Sequence, residues 1–258
     1  MTRASRRLLA TAATLGLVTT SCGSDGSVGS ETGASGDVVV FAASSLTEAF
    51  TAIGEAFVDE NPATNVRFNF AGSGDLVSQI MQGAPADVFA SADDSNMSTL
   101  TDAGENAGAP VVIARNTYAI IVETGNPTGI TGLDDLGNRD LIVVLCADTV
   151  PCGKGAATIL GNAGVAVIPR SFEEKVKGVV TKVTTGEADA GIVFVTDVNA
   201  AGDTADGVAI PADVNVITNY PVVVTKQAPN AATAQAFIDF VASDAGSAIL
   251  ASFGFLAP

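Results

Sequence analysis

The chain has 258 residues, room for one large domain or for two modest lobes with cores of their own. It is 47% hydrophobic with 27 glycines and only 16% charged residues, the composition of a packed chain rich in tight turns rather than of a disordered one. Its formal net charge of −16 sets it against nucleic acid and anionic lipid, and with no histidine it lacks the commonest general base and the commonest transition-metal ligand, which disfavours an enzyme or a metal centre.

Residues 1–21 read as a signal peptide. Arg3, Arg6 and Arg7 form a basic start, and Leu8 to Val18 is an apolar stretch too short to span a bilayer comfortably. Thr19, Thr20 and Ser21 then precede Cys22, which resembles a bacterial lipoprotein cleavage box, with Thr19 where leucine is usual. The expectation is an extracytoplasmic protein anchored to the cell membrane through lipid on Cys22. The plain alternative is an ordinary secretory signal with an incidental cysteine, and Arg6-Arg7 leaves the export route open. Losing the signal leaves nine basic residues against 28 acidic ones. Residues 22–36, rich in Gly, Ser, Thr and Asp, cannot bury a core and read as a flexible tether.

The apolar run Val38 to Ala42 predicts a buried strand. After Ser44-Ser45, Leu46, Ala49, Phe50, Ile53, Ala56 and Phe57 stand at helical spacing, and Asn61-Pro62 ends that helix. Val66, Phe68 and Phe70 alternate as in a strand, Gly72-Ser73-Gly74 turns the chain, and Leu76, Val77, Ile80 and Met81 mark a second helix. Asp87 to Ser91 predicts a third strand, followed by a helix near Met97 and Leu100. This rhythm argues for an α/β lobe with a mostly parallel sheet. From Tyr118 a second lobe begins, with strands at Ala119 to Val122, Leu141 to Leu145 and Ala190 to Val195. Its helices are expected at 132–136, from Pro151, and over Lys175 to Val183. Tyr220 to Thr225 returns to the first lobe, and one long helix is expected from Asn230 through Ile249. The domain reading is residues 37–117 plus 221–258 for lobe 1 and 118–220 for lobe 2.

Two serine turns share one arrangement. Ser44-Ser45 and Ser73 each end a strand and open a helix, where the first backbone N–H groups are unpaired and carry partial positive charge. Each serine adds a hydroxyl donor, and two such ends converging hold an anion without Lys or Arg. A serine at such a place is often no more than a helix cap. The functional case rests on the pair standing at successive strand ends of one lobe, the usual ligand crevice of α/β sheets.

The segments Phe41-Ala42-Ala43-Ser44-Ser45-Leu46, Gly72-Ser73-Gly74 and GAPADVFASAD (Gly83 to Asp93) resemble, in that order, the molybdate-binding periplasmic protein family. Val150-Pro151-Cys152-Gly153, Gly186 to Val193, Asp197 and Gly254-Phe255 extend the likeness over residues 38–258, with GAPADVFASAD its most specific part. The resemblance implies the two-lobed type II periplasmic-binding fold, with the oxyanion in the cleft between lobes and delivery to a membrane ABC permease. It implies a ligand shell of the Ser45 and Ser73 hydroxyls and the Cys152 and Val176 backbone N–H groups. The family's tyrosine falls on Phe194, which has no hydroxyl, so that donor is missing or is replaced by water or another hydroxyl. Molybdate is the ligand implied, with tungstate close behind. The chain is expected to act as a monomer, with no cofactor and molybdenum only within the oxyanion, not as a free cation.

Cys146 and Cys152 remain once Cys22 is set aside. In an oxidising compartment they form either a disulfide closing a small loop or two free thiols, and their spacing suits no zinc pair. Gly153-Lys154-Gly155 is not a phosphate-binding P-loop, because no Ser or Thr follows the lysine. Asp93-Asp94 and Asp134-Asp135 read as caps or solvated turn residues, and Lys175 and Lys177 as lysines that more often face water than an anion. Tyr118 and Tyr220 fall near the expected crossings between lobes. The competing readings are a receptor for sulfate or another tetrahedral oxyanion, and a secreted hydrolase. The last lacks support, since neither serine has a histidine or a Ser-x-x-Lys lysine beside it.

Overall fold

β-Branched runs and helix crossovers divide the chain between two sheets in the computed structural model, which describes residues 34–258. The expected signal, Cys22 and most of the tether lie outside the described residues. The first stretch carries β1 (Gly36–Ala43), α1 (Thr47–Glu60), β2 (Thr64–Ala71), α2 (Ser73–Met81), β3 (Val88–Ala90), α3 (Asp94–Asp102) and β4 (Asn106–Asn116). Then come β5 (Tyr118–Glu123), β6 (Val143–Cys146), α4 (Pro151–Ala163), β7 (Ser171–Glu173), α5 (Val176–Thr184), β8 (Ala190–Phe194), α6 (Val195–Ala201) and β9 (Ala205–Ala209). The chain closes with β10 (Thr218–Thr225), α7 (Ala231–Ala242) and α8 (Asp244–Ser252).

One sheet has the order β2-β1-β3-β10-β4 and the other β7-β6-β8-β5-β9. Both are mixed. Helix crossovers make β1 parallel to β2 and β3, as expected, but β10 runs antiparallel to β3 and β4. In the second sheet β6 is parallel to β7 and β8, while β5 is antiparallel to β8 and β9. The antiparallel strands are those that enter a sheet directly from its neighbour rather than by a helix crossover from the same sheet. The chain changes sheets at Thr117 and again in the segment before Thr218. Thr218, Asn219 and Tyr220 already pair with Asn116, Arg115 and Ala114 of β4, so the first sheet takes in three residues that the sequence reading gave to lobe 2.

The single helix expected from Asn230 through Ile249 is two. Ser243 is extended (φ −72°, ψ 170°), and its hydroxyl caps α8 by accepting the Gly246 N–H. Serine's hydroxyl competes with the helical ladder, and a small residue at 246 lets α8 start against the end of α7. Phenylalanines weld the returning α7 to the first lobe. Phe237 meets Phe57 at 5.4 Å between ring centroids and Phe50 at 6.1 Å, both edge-on.

Asp87, inside GAPADVFASAD, explains part of that motif structurally. It is buried, and its carboxylate accepts the Val39 N–H (2.9 Å) and the Asn230 N–H (2.7 Å). One side chain thereby ties β1 to the residue that opens α7. Asp87→Ala is expected to lower unfolding free energy by about 2–4 kcal/mol, because two enclosed N–H groups lose a charged acceptor. Urea denaturation measures this; a change below about 1 kcal/mol would mean water takes the acceptor's place.

Candidate functional site

Ser45, Ser73, Cys152, Val176 and Phe194 all line one cleft between the two sheets. The first sheet contributes Ser44 and Ser45, in a short 3-10 turn after β1, and the Gly72-Ser73 turn into α2. The second contributes Val150 to Cys152 at the start of α4, Lys175-Val176 at the start of α5, and Phe194 at the end of β8. The cavity there has a volume of about 10 Å³, room for about one water-sized sphere, which suits a small ion better than a sugar or peptide.

The helices that open on the cleft have no cap from their own side chains. α2, α4 and α5 begin without a side-chain cap bond, as do α1, α6 and α7, while Asp93 caps α3 and Ser243 caps α8. In α4 the donors are narrowed to one. Pro151 has no N–H, and Gly153 and Lys154 both turn theirs back onto the Val150 carbonyl at 3.0 Å. Cys152 keeps a first-turn N–H uncommitted to the helix. In α5 the helix starts at Val176 itself, one residue later than expected, which leaves Val176 the first unpaired N–H.

Ser73 is not a cap. It is the first helical residue of α2, 1% exposed, and its Oγ accepts the Ala92 N–H (3.2 Å). With a lone pair so engaged, its own hydrogen is free to donate. Gly72 has an ordinary extended backbone (φ −63°, ψ 138°), so no unusual torsion calls for glycine. Space calls for it: a Cβ would overlap the carbonyl oxygen of Glu174, just past β7 of the opposite sheet. Gly72 therefore lets the two sheets approach each other, as well as letting backbone approach a ligand.

Cys146 and Cys152 are joined by a disulfide with Cα atoms 5.7 Å apart, so the loop that presents the Cys152 N–H is closed at both ends. The loop folds back on the first turn of α4, where a Cβ on Gly153 would overlap the Ala147 carbonyl. Tyr118, from β5, donates its hydroxyl to the Pro151 carbonyl (3.2 Å). Burial raises its pKa and keeps the phenol protonated.

Phe194 is buried, with its ring 4.7 Å from Tyr118 and 5.9 Å from Tyr220 between centroids. Tyr220 is fully buried, its hydroxyl 3.0 Å from Ser45 Oγ and 3.4 Å from Asn116 Nδ2. Sequence reading placed Tyr220 near a crossing and gave it no part in the site; Asn116 drew no notice. A tyrosine before a proline at a strand start carries no local sign of what its hydroxyl meets 175 residues away.

Charge is present around the cleft but mostly spoken for. Lys175 lines it. Lys177 turns to carboxylates, with Nζ 2.8 and 2.9 Å from Glu48 of α1 and 3.2 Å from Asp197 Oδ1. On the other flank Lys154 reaches Asp93 across the cleft at 3.0 Å, so the Gly-Lys-Gly lysine serves an ion pair. Glu48 and Asp93 belong to the first lobe and the lysines to the second, so both pairs bridge the cleft. The Asp197 side chain has no exposure, and Lys177 and the Phe194 backbone approach its carboxylate without reaching good hydrogen-bond geometry. Burial first, with Glu48 adding, pushes its pKa up to about 6 despite Lys177. Burial pulls the Lys177 ammonium down, but Asp197 and Glu48 together hold it above the usual lysine value. The difference is physical: one ammonium gains two anions, while the wholly enclosed carboxylate gains one cation.

Comparison with known proteins accords with this geometry. The model of the bacterial extracellular solute-binding protein family matches residues 38–256. The molybdate-binding protein ModA of Mycobacterium tuberculosis is 42% identical over 240 residues, 92% of each chain. Among solved structures, the periplasmic molybdate-binding protein of Azotobacter vinelandii superposes with a TM-score of 0.75 at 20% identity, over 86% of this chain and 99% of that one. The sulfate-binding protein SubI of M. tuberculosis does so at 0.77 and 17%, over 85% and 86%. At such identities the superpositions show the fold alone, and the fold is common to receptors of both anions.

Asp197 generates a pH prediction. Its folded pKa of about 6 lies above the unfolded value of 3.8, so the folded state holds the proton longer. Stability should therefore fall as pH rises from about 4 through about 6 and level off above, by at most about 3 kcal/mol at 1.36 kcal/mol per pKa unit. Asp197→Asn should remove that slope. Thermal melts of both proteins from pH 4 to 8 check this; parallel curves would mean that Lys177 neutralises the carboxylate fully.

Proposed function

This chain belongs to the bacterial extracellular solute-binding protein family, and we propose that it is an extracytoplasmic receptor that captures molybdate, or the closely similar tungstate, for a membrane ABC permease. The observation that carries the reading is the convergence of Ser45, Ser73 and the uncapped first turns of α4 and α5 on one small cleft. The 42% identity to a protein named for molybdate supports the choice of anion. Lipid anchorage through Cys22 and a monomeric state complete the proposal.

The chemistry follows from the donors. A tetrahedral dianion offers only acceptors, and the cleft offers hydroxyl hydrogens and helix-end N–H groups. Preorganised dipoles in an enclosed site hold such an ion without a formal counter-charge, and helix N-termini add their partial positive charge. Ser45 and Ser73 come from one lobe, Cys152 and Val176 from the other. A ligand touching both lobes favours the closed arrangement, so occupancy is converted into a shape that a permease can distinguish.

Calorimetric titration of the mature domain should show molybdate and tungstate bound far more tightly than sulfate or phosphate. Sulfate bound as well or better would transfer the assignment to sulfate and leave the fold untouched. Ser45→Ala and Ser73→Ala should each lose roughly 1–3 kcal/mol of molybdate binding, the scale of a hydrogen bond to a charged group. Lys177→Ala should matter less, because Glu48 and Asp197 already take up its charge. The reverse order of effects would place the anion elsewhere.

Closure has its own test. With the lobes together as in this structure, Gly72→Ala puts a methyl against the Glu174 carbonyl, so the variant opposes closure. The variant should bind molybdate at least about tenfold more weakly, a loss near 1.4 kcal/mol, and keep the melting temperature of the ligand-free protein. Small-angle scattering should show its radius of gyration shrinking less on ligand addition than that of the parent. Full contraction with parental affinity would remove the steric role assigned to Gly72.

A further inference from the structure

We infer that Tyr220 and Asn116 are positioning residues that aim the Ser45 hydroxyl hydrogen into the cleft, setting this half of the site as a donor and favouring fully deprotonated oxyanions over those that carry a proton. The inference rests on the oxyanion reading above and adds residues that it does not contain.

The direction of every hydrogen bond in the chain of contacts can be worked out from its far end. The Thr117 backbone N–H donates to Asn116 Oδ1 at 2.9 Å. A backbone N–H cannot accept, so the oxygen end of the amide is fixed there and the NH₂ end faces the other way. That NH₂ lies 2.8 Å from Thr196 Oγ1 and 3.4 Å from Tyr220 Oη. It has two hydrogens and no acceptor lone pair, so it donates to both. Tyr220 Oη thus receives a hydrogen from Asn116 and must place its own elsewhere. Ser45 Oγ, at 3.0 Å, is the acceptor in reach.

The opposite direction is disfavoured. Were Ser45 to donate to Tyr220, the phenol oxygen would take two donors, and its own hydrogen would be left without a partner at a fully buried position. Ionised tyrosine would accept both, but burial, with Asp197 and Tyr118 adding, raises the Tyr220 pKa well above its ordinary value. With Tyr220 donating, a Ser45 lone pair is occupied from behind and its hydrogen is left to point into the cleft. Ser73 is set in the same way by the Ala92 N–H. Both serines are therefore backed by donors and face the cleft as donors.

The rings hold this arrangement in place. Tyr220 packs edge-on against Phe194 at 5.9 Å and Phe255 at 5.1 Å. Phe194 has no hydroxyl to offer, and the phenol behind it acts on the cleft through Ser45. Asn116 closes β4 beside the first crossing, Tyr220 lies in β10 after the second, and Thr196 lies in α6, which follows β8 of the second sheet, so the relay joins both lobes. Hydroxyls whose hydrogens already point inward penalise a ligand oxygen that bears hydrogen, because that oxygen meets a donor where it needs an acceptor. Hydrogen phosphate is such a ligand; molybdate, tungstate and sulfate at neutral pH are not.

The experiment is a double-mutant cycle on the mature domain, read by calorimetry with molybdate and with inorganic phosphate at pH 7.5. Tyr220→Phe should weaken molybdate about tenfold, the scale of one hydrogen bond to a charged group. It should narrow the molybdate-to-phosphate ratio, because a released Ser45 can rotate and accept. In a Ser45→Ala background the same substitution should change neither quantity, an outcome that general loosening of the fold would not produce. Asn116→Asp, nearly isosteric, turns a donor into an acceptor, draws the Tyr220 hydrogen away from Ser45 and should reproduce the loss; it serves as the second variant if Tyr220→Phe fails to fold. Parental affinity and selectivity in a folded Tyr220→Phe, or equal losses with and without Ser45, would overturn the relay alone. Failure of the parent protein to bind any oxyanion would overturn the functional reading and the relay with it.

Discussion

On the reading proposed above, a doubly charged anion must be held by a chain of net charge −16, and the rest of the structure depends on that constraint. Attraction at long range is unavailable, so holding power has to come from donors placed within hydrogen-bond reach and already pointing inward. That requirement brings several features of the cleft together. Helices α2, α4 and α5 leave their first turns without side-chain caps. Pro151 and the turns back onto Val150 reduce α4 to a single free N–H, and the disulfide and Tyr118 fix the loop that carries it. The two serines are engaged from behind rather than spent as caps.

The few cations near the cleft follow from the same constraint. Lys177 and Lys154 are each held by a carboxylate of the opposite lobe. Half-exposed pairs of this kind contribute little to stability, typically below about 1 kcal/mol. Their place matters more than their strength. They flank the cleft, and pairs this weak would let the lobes part. On the proposed reading, a receptor that must hand its ligand on cannot be closed by strong contacts that ignore occupancy, since a ligand shifts an equilibrium only by its differential affinity for the two states.

Much of this was open to a reader of the sequence, and the boundary has a physical meaning. Local patterns gave the strands β1, β2, β5, β8 and β10, the helices α1, α2 and α5, and the serine turns, because apolar period and turn chemistry are local properties. β4, β7 and β9 did not stand out, being half exposed or short, with pairing partners distant in sequence. The mixed direction of both sheets was missed because strand direction is decided by which sheet the chain has just left. The C-terminal helix was drawn too long because hydrophobic period continues across Ser243 while the backbone does not. Within the site, five positions were named from residue type and resemblance, and one cleft holds all five. Tyr220 and Asn116 were beyond such reading, since their roles exist only as distances between side chains 104 residues apart.

Phe194 shows how a substitution at one wall of a site is to be weighed. By itself, phenylalanine in place of a tyrosine subtracts a donor and suggests a weaker site. In the folded chain that ring sits between two tyrosines, one fixing the loop of Cys152 and the other touching Ser45. Phe194 also lines the cleft, so the missing hydroxyl lies on the wall that the two phenols act on from behind. The balance between direct and indirect donation is then set by desolvation: a buried phenol that keeps its proton and finds an acceptor costs little, while one forced to share an acceptor costs the full penalty of an unmade bond. The donor count of such a cleft therefore has to be taken over the whole hydrogen-bonded layer behind it, not over the side chains at its surface alone.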